Sequence, residues 1–256
     1  MKHLVSIVLI GIAALSARAD DFSSSFVPGE VLEYKVYWMG IPIAWSRITT
    51  DTITENEQDL IRFRMIVKTY AAYKHIFEVD DITEVIIDPS TGLPLRHDWI
   101  INEGSIHKSH LTTFYHEKQV AIFQDRISKD IREIPIKRDS QEIFSFIYAN
   151  RNADIEKLAS RKHTLLVTGK LHELGLEISD YDNIKLSHYG KVPSIEIEPV
   201  ADFDGIFLRK GKVFFWISKQ PNRVVTCIKA KVAVGSITAK IHEISSPAEG
   251  FWSQEE

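Results

Sequence analysis

The chain has 256 residues, of which 44% are apolar, 26% charged and 10% aromatic, a globular balance that excludes collagen-like, coiled-coil and disordered classes. Its 31 basic and 35 acidic residues give a formal charge of −4, with no basic stripe, so nucleic acid is not an expected partner.

From the N-terminus, Met1-Lys2-His3 is a short basic start and Leu4 to Leu15 an apolar run. Ser16-Ala17-Arg18-Ala19 closes it with an A-x-A pattern, so residues 1–19 read as a secretory signal peptide cut after Ala19. The apolar run is too short for a membrane-spanning helix, which needs roughly 20 residues. The chain's one cysteine is Cys227, so no lipid-bearing cysteine stands at the cleavage site. The expected location is the periplasm or the medium, as a protein that does not span the membrane once processed. Cleavage removes Lys2 and Arg18 and no acid, which leaves 29 basic against 35 acidic residues. A lone cysteine makes no internal disulfide, and Cys227, in a strand-like run without a neighbouring His, reads as an inert apolar residue.

Residues 20–244 read as one β-rich domain, because no repeat, low-complexity tract or linker divides them, and 245–256 as a flexible tail. Leu32, Tyr34, Val36 and Trp38 alternate with Glu33, Lys35 and Tyr37, the period of a half-buried strand. Phe77, Val79, Val85 and Ile87 share one parity, with Asp81 and Thr83 between them. Further strands are expected at 43–53, 60–69, 95–101, 106–115, 120–124, 165–168, 184–188, 194–200, 213–218, 224–234 and 237–244. Turn-forming residues separate many of them, as at Asp88-Pro-Ser-Thr-Gly92, Asp202-Phe-Asp-Gly205 and Gln220-Pro-Asn222. One segment breaks the pattern. Asp139-Ser-Gln-Glu142 resembles a capping box, and Ile143, Phe144, Ile147 and Tyr148 follow at helical spacing, which predicts a helix from Ser140 to about Asn150. The expected fold is all-β and mainly antiparallel: a curved, barrel-like meander with one central helix on its concave side.

Three stretches resemble the DUF3108 family of exported bacterial proteins of unknown function. Phe26-Val-Pro-Gly29-Glu30-Val-Leu32-Glu-Tyr34 is similar to the family's opening element, and Trp38-Met-Gly-Ile41 to the strand that follows. Asp139 to Arg151, with Ser145, Tyr148 and Arg151, resembles its D-x-x-S-x-x-Y-x-x-R helix, and Gly211 to Ser218, with Trp216, its G-x-v-x-x-W-x-S strand. Trp45 and Val225 depart from the pattern, where a small residue and a Pro are usual. The resemblance implies a cell-envelope β protein and no reaction.

The ten histidines suggest no metal site, since His107 and His110 fall on opposite faces of one strand. No cofactor motif is present. Asp81 points to an apolar face, where a carboxylate must be paired or functional, with a core Arg or Tyr such as Arg151 as the expected partner. Asp180-Tyr-Asp-Asn183 and Asp202-Phe-Asp-Gly205 read as turns rather than calcium loops. Ser145, Tyr148 and Arg151 form a polar stripe aimed at the sheet interior, and Trp38, Trp45 and Trp216 either fill that interior or line a pocket. Phe251-Trp252 offer a docking element in the tail. These residues predict a non-enzymatic envelope protein that binds a lipid, a glycan or a protein partner. A carbohydrate-active enzyme using inward acids such as Asp81, and a purely structural assembly protein, are the alternatives.

Overall fold

The computed structural model describes residues 25–201, 213–220, 222–232 and 234–246. The expected signal segment, the expected turn at Asp202–Gly205 and Phe251-Trp252 lie outside them. Fourteen strands form one sheet in the order β8-β7-β6-β5-β4-β3-β2-β1-β14-β13-β12-β11-β10-β9, and every neighbouring pair is antiparallel. The first half is β1 (Val31–Trp38), β2 (Ile41–Glu55), β3 (Gln58–Thr69), β4 (Asp80–Asp88), β5 (Leu93–Glu103), β6 (Ile106–Tyr115), β7 (Val120–Asp125) and β8 (Ile131–Pro135). The second is β9 (His163–Val167), β10 (Lys170–Leu186), β11 (Gly190–Ala201), β12 (Val213–Ser218), β13 (Val225–Lys231) and β14 (Ser236–Ser245). One connection, residues 136–162, carries the chain from one edge of the sheet to the other, and it holds the helices α1 (Ile143–Ala149) and α2 (Ile155–Ala159).

Period-two alternation sets which face is core. Leu32, Tyr34 and Val36 of β1, Ala44 and Ile48 of β2, and Ile237, Ala239 and Ile241 of β14 are buried on the inner side. Helix α1 lies there: Phe144 stacks on Phe63 at 4.8 Å, and Tyr148 meets Phe63 edge-on at 4.7 Å. Phe146 packs on His163 of β9, so the sheet curls around the helix from both sides. Burying each such ring contributes about 1.5–3 kcal/mol.

The barrel is not closed by a ladder, because β8 and β9 are free edges. The gap is filled instead. Gln141 bridges Leu165, and Phe114, Ala121, Ile136 and Leu166 form a small apolar seam. The β9–β10 turn uses Thr168 (φ 45°) and Gly169 (φ 74°), as a two-residue hairpin of this twist requires. Gly169 lies so close to β7 that a Cβ there would meet the Phe123 ring at 2.9 Å.

Four sequence expectations are corrected. The helix begins at Ile143 rather than Ser140, because Glu142 itself caps it: its carboxylate accepts from the N–H groups of Phe144 and Ser145, and the Ser145 hydroxyl reaches back to the Glu142 N–H. The single helix is joined by α2, capped by Asp154. The expected turn at Asp180–Asn183 lies inside the 17-residue strand β10, which crosses these polar residues by a bulge between Ile178 and Asp180. The expected strand at 184–188 is the end of β10 and its hairpin turn, and β8 is a strand the pattern did not give, because its residues are almost all exposed.

Candidate functional site

Among the described residues, two regions that combine charged groups with a cavity stand out. The first is inside, where the stretches at 26–34, 139–151 and 213–218 meet. Arg151, beyond the end of α1, donates to both oxygens of Glu30 at 2.9 and 2.6 Å, and both side chains are buried. Its Nε donates to the Arg223 carbonyl, and a terminal nitrogen donates to the Asn222 carbonyl at 3.2 Å. Phe26 stacks on Tyr148, and Tyr34 donates to the Val225 carbonyl at 3.0 Å. Ser218 accepts from the Val224 N–H, which fixes the turn that Arg151 grips. Desolvation, with Glu30 second, raises the Tyr34 and Tyr148 hydroxyls above their ordinary range. With bonds already made at Nε and at both terminal nitrogens, the guanidinium is committed to a structural clasp between helix, first strand and β12–β13 turn. The cavity beside it holds only about 40 Å³, lined mainly by apolar side chains such as Leu32, Phe63, Phe144 and Ile217. That is the order of one water, not of an acyl chain or sugar.

The stripe of Ser145, Tyr148 and Arg151 is therefore split in role. Tyr148 and Arg151 line the cavity, whereas Ser145 completes the cap with Glu142. Asp81 is buried but lines neither this cavity nor the groove described below: its carboxylate accepts from the Asn102 N–H at 2.7 Å, and the partner of Arg151 is Glu30 rather than Asp81. Trp38 donates its indole N–H to the Val234 carbonyl at 2.9 Å. Trp45 and Trp216 sit on the outer face of the sheet, opposite in parity to Ala44 and Phe215. A further buried acid, Glu142, has its carboxyl raised to about 7 by desolvation, against the lowering effect of the Ser145 and Phe144 N–H bonds. His97 Nδ1 lies 3.8 Å from it, and burial lowers His97 to about 4.

The second region is outside. Beyond its bulge, the β10–β11 hairpin folds back over the outer face of β14: Lys240 Nζ donates to the Lys185 carbonyl at 3.4 Å, and the Ile244 N–H donates to the Tyr189 hydroxyl at 2.8 Å. His188 packs edge-on against His242 at 4.5 Å. Between the tip and the sheet runs a groove of about 460 Å³, lined by Lys35, Tyr37, Lys185, Leu186, Lys240 and His242 among others. That volume is in the range of sites for small ligands. In register across the outer face stand Lys68, Trp45, Lys35, Lys240, Cys227, Trp216 and Glu196, one from each of seven neighbouring strands. The groove residues were not singled out in the sequence because their lysines come from three distant strands. The available signal was Lys35, on the polar parity of a strand whose other face is wholly apolar.

Among the described residues no helix is long and apolar enough to cross a membrane, and no group of three or more His, Cys, Asp or Glu could hold a metal ion. The architecture is that of a β-barrel-like protein, an unclosed antiparallel sheet curled about a helical plug. In fold it is similar to a beta-barrel-like protein of domain of unknown function DUF1849 from Brucella abortus, with a TM-score of 0.54, 10% identity, and coverage of 87% of this chain and 99% of that one. No curated protein matches. Residues 33–242 match the family described as protein of unknown function DUF3108, and the chain belongs to that family.

Proposed function

We propose that the chain is exported to the cell envelope and works there as a non-enzymatic binding protein for an amphipathic ligand, held in the outer groove beneath the β10–β11 hairpin. The contrast between the two cavities carries this reading. The inner space of about 40 Å³ is a filled core, whereas the groove of about 460 Å³ offers both apolar and charged walls. Leu186 and the Tyr37 ring supply the apolar side, and Lys35, Lys185 and Lys240 the polar one. Export rests on the basic, apolar and A-x-A order of residues 1–19.

The test begins with the mature chain purified from the periplasm of a bacterial host. Mass spectrometry is expected to find Asp20 at its N-terminus, and native spectra are expected to show a co-purified amphiphile. Thr238→Trp, which fills the groove, is expected to abolish that adduct, while Ile147→Trp at the inner cavity leaves it in place. An adduct that survives Thr238→Trp refutes the groove, and a chain never carrying one refutes the binding role.

A further inference from the structure

We infer that the groove is a phosphate-recognition site in which Lys35, Lys185 and Lys240 hold the phosphate group of the ligand. The inference rests on the reading of the groove as a ligand site and names the chemistry that site selects. Lys35 and Lys240 stand directly opposite each other on β1 and β14. Lys185 and Lys191 do the same on the hairpin tip above them. Like charges directly opposite across two strands cost stability, and Lys185 adds a third ammonium to the groove that Lys35 and Lys240 line, so an anion bound there relieves a repulsion.

Among the described residues none of Lys35, Lys185 and Lys240 forms an ion pair, while the nearest acid of β1, Glu33, is engaged by Arg47 at 2.6 Å. Lys240 is drawn to the tip by its bond to the Lys185 carbonyl, which brings the two pairs together. Lys35 also acts on a neighbour in the groove: burial first, then Lys35 and His188, lower the His242 imidazole, against the opposing pull of Glu243 and Glu33. Three ammonium groups around one groove, each a mobile point charge, match the doubly charged head of a phosphate monoester better than the single charge of a carboxylate.

The test uses the full mature chain and isothermal titration with three probes: dioctanoyl phosphatidic acid, its uncharged twin dioctanoylglycerol, and inorganic phosphate. Phosphatidic acid is expected to bind at least about tenfold tighter than the twin and to weaken as salt rises. Lys35→Gln and Lys240→Gln are each expected to weaken it about tenfold, the loss typical of one charge-assisted contact. Lys35→Arg and Lys240→Arg, which keep the charge, retain most of the affinity and exclude misfolding as the cause. If inorganic phosphate competes as well as phosphatidic acid, the phosphate site is supported and its source is a free phosphate rather than a lipid headgroup. Equal binding of both lipids, indifferent to the Gln variants, overturns the phosphate assignment while the amphiphile site stands. If no probe binds, the phosphate assignment falls, and the groove reading is then judged separately by the Thr238→Trp adduct experiment.

Discussion

Arg151→Met is the perturbation that probes the interior most directly. The substitution keeps an unbranched stem of similar length, so little packing is lost, but it leaves the Glu30 carboxylate, 1% exposed, without the guanidinium that met both its oxygens. It also frees the carbonyls of Asn222 and Arg223 from the donors that hold the β12–β13 turn. Removing one partner of a buried pair costs about 3–5 kcal/mol, far above the 0–1 kcal/mol of an exposed pair. For a domain of this size each kcal/mol moves the melting temperature by about 2–4 °C, so a fall of roughly 6–20 °C is expected. The double variant Glu30→Gln/Arg151→Met removes the orphaned charge and is expected to recover at least about 2 kcal/mol relative to the sum of the singles. Urea denaturation of the four proteins, wild type included, gives the coupling energy. A single-variant cost below about 1 kcal/mol, or additivity within about 0.5 kcal/mol, refutes the clasp.

The Glu142–His97 pair predicts a pH dependence whose sign follows from proton counts. Folded, with the carboxyl at about 7 and the imidazole at about 4, the pair holds one proton between those limits. Unfolded, at the ordinary 4.5 and 6.5, it holds two below 4.5, one between, and none above 6.5. The two slopes therefore cancel across the middle. Glu142→Gln leaves only His97, so stability is expected to rise with pH from about 4 to 6.5, whereas His97→Asn leaves only Glu142, and stability falls from about 4.5 to 7. Urea midpoints at four pH values check both, and equal slopes in the two variants refute the opposite burial-driven shifts. Gly169→Ala, at φ 74° and with Phe123 2.9 Å from the added methyl, is expected to cost about 1–3 kcal/mol by opening the seam, read by thermal melting. Lys35→Gln in the ligand-free protein relieves the pair with Lys240 and is expected to raise stability by about 0.2–1 kcal/mol, again by melting. Cys227, buried and pushed up to about 12 by desolvation, is expected to resist a maleimide in the native state and to react once urea unfolds the chain.

Much of the fold is legible in the sequence because an antiparallel sheet with one covered face writes period-two alternation into every well-packed strand. Leu32, Tyr34 and Val36 are buried as that alternation requires. The rule fails where its physical premise fails. β8 is an edge strand with exposed residues on both faces, so nothing alternates, and β10 carries Asp180, Asp182 and Asn183 because its middle is solvent-exposed. α2 is five residues long, too short for a helical period to register. The helix start is misplaced because Asp139 and Glu142 are both competent caps, and burial of Glu142 against His97 decides between them. At the candidate sites the sequence marks Arg151 as a residue needing a partner but not which one. Glu30 lies 121 positions away, and only the curl of the sheet brings it to the helix end.

This division explains why the residues that resemble the family do not themselves indicate an activity. Glu30, Tyr34, Arg151 and Ser218 bind one another or nearby backbone, with Tyr148 packed under the Arg151 guanidinium, and they tie the plug to the sheet across an edge that no ladder closes. An open sheet of fourteen strands has a strong tendency to unroll or to pair its free edges with another chain, and the clasp at Arg151 opposes both by fixing the connection that spans the gap. Interior polar groups spent on that task are not free to bind a ligand. On the outer face Lys35 and Lys240 stand directly opposite each other without an ion-pair partner among the described residues. A ligand site in this architecture is therefore expected outside the barrel, and its specificity is expected to vary with the length and charge of the β10–β11 hairpin while the clasp stays the same.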